Sequence, residues 1–463
     1  MWKYIWLIAL MIMLKIGLCC RFIFPAISLD KSKLINFFHY TLIIPLLMCL
    51  FLITSTSNPN HYHSYRMMLI SLVISLWTPT IYAAFQRRYR NKFSINALRL
   101  SLLMVLLFIV FSRQSLLTLF IFFEISLIPI IFILFIGGSS NKKLEAGLYM
   151  FAFTSSSAFV FLAFLVISRL LQHGTYHFML ISTSSHNSPL DITRSYSSFS
   201  MVIYNLATVV ILIKTPLFFL HIWLPKAHVE APVFGSMVLA RLLLKTGGYG
   251  YLVLFMVCFG VLGQYDFSVC VILLLAILAA VRCSAQMDIK MLIAYSSVNH
   301  IGVIVCGIVL GLRSSTLGRV VLIIGHGIIS SVLFYLARGR YSQIITRSSF
   351  FSILLGKSNV NIIFWLVLVL INAGLPPFLI FIGESLILKA TLIYPLLIFL
   401  FLINYILIGY YSCLILLKLI LSKFPSNVGR LMGNGIPSYI SNTVVFMHLS
   451  VLVNITICFP WLR

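Results

Sequence analysis

The chain has 463 residues, 61% of them hydrophobic and only 9% charged, with a mean hydropathy of +1.09, which is more apolar surface than a water-soluble core can bury and therefore excludes a soluble domain. The net charge of +25 reflects a scarcity of acids, limited to Asp30, Glu124, Glu145, Asp191, Glu230, Asp266, Asp288 and Glu384. The cations do not gather into a basic domain with interleaved aromatics, so nucleic acid is excluded as a partner and a membrane surface explains them better.

Apolar stretches of about twenty residues recur along the chain, each long enough to cross the hydrocarbon as a helix, whereas barrel strands would need shorter alternating segments. The expected fold class is all-α, a polytopic transmembrane bundle. The first stretch, 4 to 24, is too long for a signal-peptide core and is read as a spanning helix. Thirteen more follow: 35 to 54, 66 to 86, 95 to 112, 115 to 136, 145 to 171, 200 to 222, 232 to 257, 266 to 284, 288 to 310, 316 to 338, 360 to 390, 394 to 421 and 443 to 459. An even count puts both termini on one side.

Lys and Arg accumulate on the side that is not translocated. Loops after odd-numbered helices carry most of them, among them Arg87, Arg88, Arg90, Lys142, Lys143, Arg338, Arg340 and Lys357, so both termini are expected to face outward. The Ser/Thr/His-rich break from 172 to 198 is then an outward loop. The nine cysteines form no Cys-x-x-Cys pair, which implies neither disulfides nor an iron–sulfur cluster. Gly356-Lys357-Ser358 ends like a phosphate-binding loop, but Phe351 stands where the leading glycine belongs, so no nucleotide site is expected.

The first intramembrane charge is Glu124, in the middle of an apolar run. A carboxylate there is costly unless it faces the bundle interior, pairs with a cation or holds a proton, and all three suit a proton path. Lys214 closes the run Val209-Val210-Ile211-Leu212-Ile213 and precedes Thr215-Pro216. A buried ammonium thus coincides with a helix breaker, as where transporters place ions at midplane. Lys245 precedes Thr246-Gly247-Gly248-Tyr249-Gly250, small residues that permit close helix packing. A shift in the position of its partner would let it take or release a proton.

His221, His300 and His326 lie in or beside apolar runs. Ser330 follows His326 by one turn and Ser296 precedes His300 by one, which gives each imidazole a polar neighbour on its own helix. For each histidine a structural role and a relay role stay open, and no metal is expected. Glu384 lies beyond the break Gly374-Leu375-Pro376-Pro377. The spacing from Pro216 to Pro376 fits two inverted five-helix repeats, near 95–257 and 266–421, within a single membrane domain over 1–463.

The run from Lys214 through Leu224-Pro225-Lys226-Ala227-His228-Val229-Glu230-Ala231-Pro232, continuing to Lys245 and Gly247-Gly248-Tyr249-Gly250, resembles the antiporter-like membrane subunits of respiratory complex I. Leu292-Ile293-Ala294-Tyr295-Ser296-Ser297, Phe122-Phe123-Glu124, Gly325-His326-Gly327 and Met447-His448-Leu449-Ser450 extend the likeness. The resemblance implies a proton-translocating module of the mitochondrial inner membrane. NADH, FMN, iron–sulfur clusters and ubiquinone would sit on partner subunits, with no cofactor in this chain. Neighbouring antiporter-like subunits and membrane lipids, cardiolipin a candidate, would be its partners. It further implies that Glu124 pairs with Lys214, Lys245 joins the two halves, and His326 leads to Glu384, with His221 and His300 in adjoining roles. A multisubunit cation/proton antiporter would share most of these motifs. Two departures stand out: Asn141-Lys142-Lys143 replaces the family's Pro-Glu-Arg loop, and Arg241 stands where a small residue is usual, one turn before Lys245, whose charge it is expected to tune.

Overall fold

The computed structural model describes residues 93–112, 116–137, 142–171, 198–258, 265–344, 359–376, 378–392 and 394–420, with Leu69, Ile70, Val73 and Thr80 as isolated positions. The helices expected at 4 to 24, 35 to 54 and 443 to 459, most of that at 66 to 86, and most of the long polar loop lie outside these residues.

The described elements are helical: α1 (Phe93–Ser112), α2 (Leu116–Gly137), α3 (Lys143–Leu171), α4 (Ser198–Lys214), α5 (Trp223–Glu230), α6 (Val233–Val238), a π turn (Leu239–Leu243), α7 (Leu244–Cys258), α8 (Tyr265–Ser284), α9 (Ile289–Leu310), α10 (Arg313–Ile344), α11 (Asn359–Asn372), α12 (Leu379–Thr391) and α13 (Pro395–Ile420). Seven described helices are long and apolar enough to cross a membrane. Their burial divides them. Val233–Leu254 is wholly enclosed by protein, and Ile289–Leu310 and Ser314–Ala337 are 94% enclosed, whereas Lys143–Val166 and Pro395–Leu417 are 33% enclosed. The first three are therefore the axis of the bundle. The others turn side chains such as Phe159, Phe267 and Ile406 outward, as hydrocarbon requires.

The two interrupted spans expected near 200–222 and 360–390 are both broken: Ser198–Lys214 is followed by Trp223–Glu230, and Asn359–Asn372 by Leu379–Thr391. Pro216 has no N–H to give the Leu212 carbonyl, so Leu217 N–H reaches it at 3.4 Å. The neighbouring carbonyls are satisfied locally: Thr215 Oγ1 donates to Ile211 at 3.2 Å and Trp223 Nε1 to Ile213 at 3.2 Å. Phe219 turns the chain with φ at 74°, a conformation that costs a non-glycine residue roughly 1–2 kcal/mol. The second break repeats the pattern, with Leu375 N–H reaching Leu370 at 3.4 Å and Gly374 at φ 69°. Both breaks leave short helices, α5 and α12, that pack against the axis instead of continuing their predecessors.

Glycines allow the close approaches that hold the breaks. A Cβ on Gly247 would lie 2.9 Å from the Lys214 carbonyl oxygen and 2.9 Å from Thr215 Cγ2, so α7 can touch the end of α4 only through a glycine. Gly247→Ala is expected to cost about 1–3 kcal/mol of overpacking. Thermal denaturation of the assembled protein in detergent should show a lower midpoint, and an unchanged one would mean that the α4 end can shift freely. Gly318 and Gly383 meet similarly where α10 crosses α12, each Cβ position lying 2.8–2.9 Å from the other's carbonyl oxygen. That crossing sets Glu384, the next residue, against the axis.

Candidate functional site: a line of buried charges

Two groups of polar side chains occupy the bundle interior. In the first, Lys214 at the end of α4 forms an ion pair with Glu124 of α2. Its ammonium also lies 4.6 Å and 4.4 Å from the ring centroids of Phe120 and Phe123, which add cation–π attraction without competing donors. The Lys214 side chain is 6% exposed and that of Glu124 is 24%, so the lysine is enclosed, with no snorkelling, while the acid reaches the outer surface of α2.

The second group starts at Lys245. In the π turn Leu244 N–H reaches back to Leu239, which leaves the Ala240 carbonyl to accept the Lys245 ammonium at 2.8 Å. Lys245 Nζ is also 2.9 Å from His326 Nδ1 of α10. His326 Nε2 lies 3.2 Å from Ser297 Oγ of α9, and its ring centroid is 5.3 Å from that of His300. His300 Nδ1 in turn lies 3.2 Å from Glu384 Oε1 of α12. The contact is within ion-pair distance but not aligned as a hydrogen bond, and neither oxygen of this buried carboxylate has another hydrogen-bond donor in the structure. Glu384 Oε2 lies 2.6 Å from the point where a Gly374 Cβ would stand, so the acid rests on the second break itself. Lys245, His326, His300 and Glu384 thus form a continuous file drawn from α7, α10, α9 and α12.

The pairing expected of the serines is different in the structure. Ser330 Oγ donates to the His326 carbonyl at 2.7 Å and Ser296 Oγ to the Ile293 carbonyl at 2.9 Å, because a helical hydroxyl finds a backbone acceptor one turn back more readily than a side chain on its own face. The ring partners come from other helices. His221 is not in the file: it stacks on Phe218 at 4.8 Å and meets Tyr295 edge-on at 5.2 Å, beside the first break. Arg241 is fully buried. Its Cγ and the Lys245 Cε both lie against Gly327, 3.6 Å and 3.5 Å from its Cβ position.

Sequence reasoning passed over His228. It lies on α5, is fully buried and stacks flat on Phe334 at 4.4 Å and 5°, and neither ring nitrogen has a hydrogen-bond partner in the structure. It feels the charges of Lys290 and Lys245. The signal was its place on the short helix after a break, where a polar ring has no water to turn to. Among the described residues no three His, Cys, Asp or Glu gather in a metal-holding arrangement.

The family described as NADH:quinone oxidoreductase/Mrp antiporter, TM, matches residues 113–409, which contain every group named above. NADH-ubiquinone oxidoreductase chain 4 of Locusta migratoria is 33% identical over 331 residues, 70% of either chain. The protein of the same name from Carassius auratus is 31% identical over 394 residues, 81% of this chain and 83% of that one. A chain of respiratory complex I from Thermus thermophilus superposes with a TM-score of 0.68 at 21% identity, covering 89% of this chain and 94% of its own. A chain of the Mrp complex from a Dietzia species gives 0.74 at 14% identity, covering 97% and 94%. The solved structures establish a shared fold, and the profile and sequence matches establish kinship: the chain belongs to the NADH:quinone oxidoreductase/Mrp antiporter transmembrane family, among relatives named NADH-ubiquinone oxidoreductase chain 4.

Proposed function

We propose that the chain is the proton-translocating membrane subunit of a mitochondrial respiratory complex I, which moves protons through its buried Glu/Lys/His groups while partner subunits oxidise NADH and reduce ubiquinone. The observation that carries this is the file Lys245–His326–His300–Glu384 on helices that face protein and not lipid. Ionisable groups in such a place are expensive, and a chain of them is what a proton needs to cross hydrocarbon. The Glu124–Lys214 pair is the second station, and His228, which feels the Lys245 charge, adds a titratable group to the interior beside the central lysine. Arg241, packed on the same glycine as Lys245, tunes it. His221 supports the first break through its aromatic contacts.

The chain works without a redox centre of its own, within a membrane arm of neighbouring antiporter-like subunits and lipids, cardiolipin among them. A carboxylate that is partly exposed in mid-span supports a polar neighbour over Glu124. The interrupted span is fourth of five in each of the runs 93–258 and 265–420, which supports two inverted repeats. The cation asymmetry supports termini on the intermembrane-space side. The competing role, a subunit of a cation/proton antiporter, draws on the Mrp fold likeness, whereas the sequence relatives favour complex I. Purification separates the two. The chain is expected to co-purify with a flavin and iron–sulfur protein assembly whose vesicles acidify or alkalise on NADH addition, and its recovery in a redox-silent complex would overturn the proposal.

A further inference from the structure

α13 carries no charged member of the file, yet it grips it. Its buried face presents Asn404, Ile408, Tyr411 and Ile415 inward. Asn299 Nδ2 donates to Asn404 Oδ1 at 2.7 Å and to the Ala276 carbonyl at 2.9 Å, which fixes the backbone one residue before His300. Tyr405 Oη donates to the Gly374 carbonyl at 2.9 Å, beneath Glu384. Tyr411, fully buried, places its Oη 3.5 Å from His300 Nε2, on the opposite edge of the ring from Glu384.

We propose that Tyr411 is a positioning residue of the proton path, its hydroxyl holding the His300 ring with Nδ1 on the Glu384 side, within ion-pair distance of the carboxylate. A neutral imidazole has one donor nitrogen and one acceptor. In the state with Glu384 ionised its oxygens can only accept, which favours the tautomer with the hydrogen on Nδ1 and the lone pair on Nε2, where the Tyr411 O–H meets it as donor. When a proton handed on from the Lys245–His326 side converts His300 to the imidazolium, the phenol turns and accepts from Nε2–H, because a hydroxyl rotates freely between the two roles. Nδ1–H can then pass to Glu384 Oε1 while the ring stays in place. The other ionisable groups around His300 are His326 of α10, backed by Lys245 of α7 and His228 of α5, and Cys283 of α8, which with Glu384 lies within electrostatic reach of Tyr411.

The inference rests on the proposed proton path, so Tyr411→Phe is compared with Glu384→Gln in the whole complex. Phenylalanine keeps the buried ring and removes the hydroxyl. Coupled quinone reduction per assembled complex is expected to fall roughly three- to tenfold in Tyr411→Phe, with a displaced pH profile. A wild-type rate and profile beside a defective Glu384→Gln would overturn the role of Tyr411 and leave the path standing. Wild-type behaviour in both would overturn the path as well. If Tyr411→Phe does not assemble, a difluorotyrosine at position 411, nearly equal in shape but more acidic, tests the same hydroxyl: a shifted pH profile supports the role, and an unchanged one removes it.

Discussion

Glu124→Gln and Lys214→Met should each lower NADH-driven proton uptake and coupled quinone reduction by roughly tenfold or more, while NADH oxidation by an artificial acceptor, which needs none of the membrane path, keeps its wild-type rate per assembled complex. Two effects of these variants have to be separated. Losing one partner of a buried ion pair leaves the other uncompensated, which costs about 3–5 kcal/mol in a protein interior and is expected to reduce assembly. The Lys214 side chain, 6% exposed between Phe120 and Phe123, forms no ion pair with another acid among the described residues that could take up that charge. The double variant Glu124→Gln/Lys214→Met removes both charges and should recover assembly relative to Glu124→Gln alone. Transport should stay lost, because neither side chain can then exchange a proton. Recovery of transport together with assembly in the double variant would reduce the pair to a structural tie.

The stations of the proposed path are legible in the sequence for a simple reason: an acid or lysine inside about twenty apolar residues has no inexpensive structural explanation, so Glu124, Lys214, Lys245 and Glu384 announce themselves. The breaks are legible too, because Pro216 closely follows Lys214 and the pair Pro376-Pro377 precedes Glu384 by about two helical turns. The links between stations are not. His326 meets Lys245, 81 residues away in the chain, and Ser297, 29 away, and no local spacing encodes either contact. Serines one turn from each histidine look like ring partners, but their hydroxyls are taken by backbone carbonyls. The π turn is invisible in Leu239-Ala240-Arg241-Leu242-Leu243, which reads as ordinary helix; the widening shows only when Leu244 N–H is found on Leu239. Tyr411 resembles any aromatic in an apolar helix until His300 is placed against it.

Lys245 offers the sharpest separation of charge from proton exchange. Its Nζ donates to the Ala240 carbonyl and faces His326 Nδ1 at 2.9 Å. With the ammonium as donor, Nδ1 must hold a lone pair, and the His326 hydrogen then sits on Nε2, towards Ser297 Oγ at 3.2 Å. Transfer of one proton from Nζ to Nδ1 leaves a neutral amine and an imidazolium whose ring lies 5.3 Å from that of His300, the next group in the file. Lys245→Met removes both the charge and the proton. Lys245→Arg keeps the charge, and the absent side chain at Gly327 leaves room beside Cε, but a guanidinium stays protonated and cannot hand a proton on. Both variants are therefore expected to pump roughly tenfold or more below the wild type, measured as NADH-driven proton movement in proteoliposomes and normalised to assembled complex. An assembled Lys245→Arg enzyme with the wild-type pumping rate would mean that a fixed positive charge suffices at this position, and the file would have to begin at His326.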